Sequence, residues 1–212
     1  MSNQFWLKLV HQQRAIAVIR AAGIEQGRQM AKAVANGGMK LIEITWNSEA
    51  SAELINQLRS ELPGCRIGTG TVLNLDHLEQ AIAAGAQFLF TPHVDRTMIQ
   101  AAAQRGVPLI PGALSPTEIV TAWATGASCV KVFPVQAVGG ASYIKSLQGP
   151  LGHIPLIPTG GVTLENAKEY LLSGAIAVGL SGQLFPQQLV TDENWEAITQ
   201  RAQNLMQQLA TH

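Results

Sequence analysis

The chain has 212 residues, enough to bury a large core in one domain or two small ones. Apolar residues make up 47% and charged residues only 13%, which excludes a disordered chain. Formal net charge is zero, so nothing recommends nucleic acid or an anionic membrane as a partner, since both demand a basic excess.

The N-terminal stretch MSNQFWLKLVHQQR lacks the long apolar segment of a signal peptide, and no apolar run reaches the ~18 residues of a membrane span. Cys65 and Cys129 lie far apart in apolar runs and read as buried reduced thiols. A cytoplasmic protein is therefore expected.

In chain order the predicted strands are AIAVIR (15–20), KLIEITW (40–46), RIGTGTV (66–72), QFLFTP (87–92), VPLIPG (107–112), CVKVFP (129–134), IPLIPTG (154–160) and AIAVGLS (175–181). Such near-continuous apolar runs are the mark of parallel strands covered on both faces. Amphipathic segments such as EQGRQMAKAVANGG, SAELINQLRSEL and LDHLEQAIAAGA alternate with them, several ending in glycine as helix C-caps do. Thr163 is the expected N-cap after the seventh strand. Eight such units with no linker or charge block predict a single-domain (β/α)8 barrel over residues 1–212. The competitor is an open doubly wound sheet, but GTGTVL lacks the third glycine of the dinucleotide fingerprint and does not follow the first strand.

Side chains alternate across a strand, so Leu41, Glu43, Thr45 and Asn47 share one face of the second strand. Cys129, Lys131 and Phe133 share one face of the sixth. If both faces point inward, Glu43 and Lys131 meet inside the barrel. A buried ion pair is the bland reading, and such pairs stabilise weakly because desolvation offsets the attraction. The functional reading is that desolvation frees the Lys131 amine to attack a carbonyl while Glu43 shuttles protons. Arg20, ending the first strand, is the other notable charge; Arg66 starts the third strand, at the opposite end, and reads as structural.

A second cluster gathers at the C-terminal strand ends. PTGGV (158–162) and GLSG (179–182) follow the last two strands, where barrels often bind phosphate through backbone N–H groups. Thr69, Thr71, Pro92 and Thr159 fall at strand ends and would line a small polar pocket. His11, His77, His93, His153 and His212 form no cluster with one another or with carboxylates, so a metal is not expected.

The motifs IEITWNS, GTGTVL, FTPH, PLIPGALSPTE, VKVFP and IPTGGVTLENAKEYL resemble, in order and spacing, the 2-keto-3-deoxy-6-phosphogluconate (KDPG)/4-hydroxy-2-oxoglutarate (KHG) aldolase family, from about Ile16 to Pro186. The resemblance implies a homotrimeric, metal-independent class I aldolase built on a (β/α)8 barrel, without a cofactor and with a keto acid as substrate. It implies that Lys131 is the Schiff-base lysine and Glu43 the general acid/base. It also implies that Thr71, Pro92 and Phe133 line the pyruvyl end. Thr159, Gly160, Gly161, Gly179 and Ser181 then hold the distal phosphate or carboxylate. Many family members carry arginine four residues after the glutamate; Asn47 stands there in this chain. The branch acting on 2-keto-3-deoxy-6-phosphogalactonate has a similar Asn-Ser with an arginine ending its first strand. Arg20 is accordingly expected to hold the substrate carboxylate. A phosphosugar isomerase or synthase, and an idle barrel sensing phosphorylated metabolites, are the alternative readings.

Overall fold

Each apolar run becomes a short parallel strand, because both of its faces find cover. The computed structural model describes residues 3–210; His212 lies outside them. The strands are β1 (Ala15–Ile19), β2 (Leu41–Thr45), β3 (Arg66–Gly70), β4 (Leu89–Phe90), β5 (Leu109–Ile110), β6 (Gly112–Ala113), β7 (Val130–Val132), β8 (Leu156–Pro158) and β9 (Val178–Leu180). They form two curled parallel sheets, β5-β4-β3-β2-β1-β9 and β6-β7-β8.

The expected fifth strand is two pieces. Pro111 interrupts it, having no N–H for the ladder. Its carbonyl still accepts the Lys131 N–H at 2.9 Å. At the other junction a single bridge joins Thr159 to Gly179, and the Ile176 N–H donates to Leu156 O at 3.0 Å.

Two apolar regions result. The larger lies between the strands and the surrounding helices and includes Met30, Ile42, Leu54, Ile67 and Leu205. The smaller lies inside the curl, where Ile16, Leu41, Phe88, Phe90, Ile110, Cys129 and Ile157 meet. The helix Asn3–Gln13 covers one end of this interior and inserts Trp6, which is fully buried. The Trp6 ring lies 4.9 Å from that of Phe88, and its Nε1–H donates to Cys129 Sγ at 3.4 Å. Both cysteines are buried free thiols, as expected. Arg66 opens β3, its guanidinium 5.9 Å from the Phe5 ring.

The helices start where local chemistry starts them. Ser115 and Glu118 form a reciprocal capping box ahead of Pro116–Ala124, with proline in the first turn where its missing N–H does no harm. Thr163 Oγ1 accepts the Asn166 N–H at 3.2 Å, capping the turn that leads into Ala167–Leu172. No helix among the described residues is long and apolar enough to cross a membrane.

Candidate active site

Alternation along β2 and β7 decides which polar groups face inward. Glu43 is central in β2 and Lys131 in β7. The two side chains are 3% and 8% exposed, and both open on one cavity of about 770 Å³. Among the described residues neither makes a close ion pair or a side-chain hydrogen bond, so their attraction acts across the cavity. Burial pushes the Lys131 ammonium below the usual lysine value, opposed by the Glu43 carboxylate. Burial pushes the Glu43 carboxyl above the usual carboxylate value, opposed by Lys131 and then Arg20. Lys131 Nζ lies 4.4 Å from the centre of the Phe133 ring and 6.0 Å from that of Phe90, so one side of the amine is kept dry.

The cavity gathers most of the residues singled out from sequence. Arg20, Glu43, Thr71, Pro92, Lys131, Phe133, Thr159, Gly160, Gly161, Gly179 and Ser181 all line it. Asn47 does not: it is exposed, outside the lining. The strand ends at Thr45 and the chain turns through Trp46 and Asn47, so strand alternation stops applying there. Thr69 is also outside, fully buried with its hydroxyl donating to Ile44 O at 2.6 Å. His93 lines a neighbouring cleft beside Pro92 and Phe133 rather than this cavity.

Backbone conformation shapes the rim. Gly160 has φ +84°, and a side-chain carbon there would sit 3.1 Å from the Phe133 ring. Thr71 takes φ +60°, a strained conformation for a β-branched residue. The N–H groups of Gly161, Val162, Gly182 and Gln183 meet no acceptor among the described residues, and these residues line the cavity from the loops after β8 and β9.

Sequence reading gave Thr45 no role and missed Gln136 and Asn166; all three line the cavity. Thr45 shares the Glu43 face and was readable by alternation. Gln136 sits in the short turn Val135–Val138 and Asn166 in a loop, where no period guides the eye. Asn166 Oδ1 accepts the Thr163 N–H at 2.7 Å and its Nδ2 donates to Gly161 O at 3.2 Å, so it braces the glycine loop.

The chain as a whole has relatives among known proteins. The sequence pattern of the KDPG and KHG aldolases matches residues 7–201. The chain belongs to that aldolase family. The aldolase is 35% identical to the 2-dehydro-3-deoxy-phosphogluconate aldolase of Dickeya dadantii, over 87% of this chain and 86% of that one. It is 31% identical to the KHG/KDPG aldolase of Escherichia coli K12, over 91% and 90%. The KDPG aldolase of Legionella pneumophila, with pyruvate captured at low pH as a covalent carbinolamine, superposes with a TM-score of 0.87 at 28% identity, over 94% and 97%. The aldolase is thus a lyase.

Proposed function

We propose that this aldolase cleaves a 2-keto-4-hydroxy acid, KDPG or KHG, to pyruvate and an aldehyde, with Lys131 as nucleophile and Glu43 as proton shuttle. The observation that carries the reading is the desolvated Lys131 amine facing the buried Glu43 carboxyl in one cavity. Lys131 Nζ adds to the C2 carbonyl, giving a carbinolamine. Glu43 supplies the proton with which the C2 oxygen leaves as water, and an iminium forms. Glu43, through water, takes the C4 hydroxyl proton as the C3–C4 bond breaks. The bonding pair flows into the iminium, leaving an enamine, and the aldehyde departs. Protonation at C3 and hydrolysis release pyruvate and the free amine. KDPG yields glyceraldehyde 3-phosphate; KHG yields glyoxylate.

The remaining residues sort by chemistry. Thr71, Pro92 and Phe133 surround the pyruvyl end. Thr159, Gly160, Gly161, Gly179 and Ser181 serve the distal anion, supported by the free N–H groups beside them. Arg20 holds a substrate carboxylate, and 2-keto-3-deoxy-6-phosphogalactonate is the second substrate to try, because arginine lines the cavity from β1 while Asn47 does not.

The reading carries a closed eight-strand barrel, supported by the hydrogen bonds at both sheet junctions. It carries a cytoplasmic enzyme, supported by two buried free thiols. It also carries a homotrimer, supported by family membership; light scattering should return three times the 22.6 kDa chain mass.

Borohydride with pyruvate tests the chemistry. Inactivation with a reduced pyruvyl adduct on Lys131 is expected. An adduct on Lys145 would overturn the assignment of Lys131; no adduct at all would overturn it and favour an isomerase or a sensor.

A further inference from the structure

A second cleft, of about 290 Å³, lies behind Arg20. Arg20, Ser181 and Gly182 line both this cleft and the main cavity, so the two spaces meet at these three residues. One wall comes from the helix Ile24–Asn36, through Gln26 and Met30, a turn apart on one face. A further part of the lining comes from the short helix Gln187–Thr191.

The lining has a consistent chemistry. Among the described residues Arg20 is the only charged side chain in its lining, and no carboxylate is among them. Gln26, Gln187 and Thr191 offer neutral hydrogen-bonding groups, while Met30, Phe185 and Val190 offer apolar surface. Gln26 Oε1 accepts the Ala22 N–H at 3.0 Å, which fixes its amide and leaves the NH₂ group to donate. The side chains of Gln187 and Thr191 bond to nothing among the described residues. A chain of CHOH units presents hydroxyls and C–H groups together, and this mixture of neutral partners and apolar walls matches it. The volume corresponds to roughly ten water-sized units, which is room for a few such carbons.

We propose that this cleft is an extension subsite for the neutral, hydroxylated tail of an acceptor aldehyde longer than glyoxylate. The tail enters past Arg20 and Ser181, while the reacting carbonyl stays beside Lys131. The proposal rests on the aldolase reaction described above and adds a substrate class to it: pyruvate adducts of longer sugars.

The test is condensation of pyruvate with two aldehydes by the wild-type enzyme, Thr191→Trp and Gln187→Ala. Glyoxylate is too short to reach the cleft; D-ribose is a neutral five-carbon acceptor. Each variant is compared with wild type on the same aldehyde, so hydration and ring closure of the sugar cancel. With glyoxylate, kcat/KM should stay within about twofold in both variants, which also reports intact folding. With D-ribose, filling the cleft in Thr191→Trp should lower kcat/KM at least about tenfold. Loss of one hydrogen-bonding group in Gln187→Ala should raise KM for D-ribose about threefold. Proportional losses on both aldehydes, or no loss on D-ribose in either variant, overturn the subsite. A wild-type enzyme that condenses glyoxylate but not D-ribose overturns the subsite alone. One that condenses neither overturns the aldolase reaction and the subsite with it.

Discussion

The Glu43 carboxylate occupies the space where a side chain on Gly70 would begin: a carbon attached there would fall 1.6 Å from Oε1. Gly70 ends β3 beside Thr45 of β2, so the Glu43 side chain leans along the sheet over a bare α-carbon. Gly70→Ala should therefore move the carboxylate without unfolding the sheet, because the clash is with the end of a flexible side chain. Loss of a positioned proton shuttle is worth about 10²-fold or more in rate. We expect kcat to fall about 100-fold while the urea midpoint barely changes. Unaltered kcat would show that Glu43 is not held by this contact.

The pH dependence of imine trapping follows from the neighbours of Lys131. Imine formation needs the neutral amine, so trapping by borohydride slows as pH falls through the Lys131 pKa. Burial lowers that pKa and the Glu43 carboxylate opposes the effect by favouring the ammonium. Glu43→Gln removes the opposition, so the acid limb of the trapping profile should move to lower pH. A limb that stays in place or moves upward contradicts the electrostatic link.

Both buried groups also burden the fold. Lys131 has a lower pKa folded than unfolded, so the unfolded chain binds more protons and stability rises with pH between those two values. Glu43 has a raised folded pKa, so stability falls as pH rises between its unfolded and folded values. Replacing both, in Glu43→Gln/Lys131→Met, removes both slopes. Replacement of a buried charge pair by uncharged groups is neutral or stabilising by about 1–4 kcal/mol. The inactive double variant should therefore resist urea at least as well as wild type, whereas each single variant should do worse. A double variant weaker than both singles would mean that the two groups contribute independently and that neither charge is left uncompensated by loss of the other.

The closed end of the interior rests on Trp6. It touches Phe88 and Cys129, both buried among the inner strand faces. Trp6→Ala should cost about 3–5 kcal/mol in urea unfolding. Cys129 reports the same event: burial pushes its thiol up to about 12, so it should resist alkylation at neutral pH in wild type and react faster in Trp6→Ala. Equal alkylation rates would mean that the helix does not guard this end.

Alternation over β2 and β7 was enough to pair Glu43 with Lys131, because a strand side chain has only two directions and both strands are buried on both faces. The same rule misplaced Asn47, two residues past the last extended residue, and placed no loop residue at all. Composition and apolar runs likewise determined the parallel α/β class and the buried thiols. Only the tertiary structure decided that Pro111 splits one strand in two, that Gly70 makes room for Glu43, and that Gln136 and Asn166 join the cavity rim. It alone showed that Arg20 stands between two clefts. These depend on how distant segments approach one another, and a local period of two or 3.6 residues carries no information about that distance.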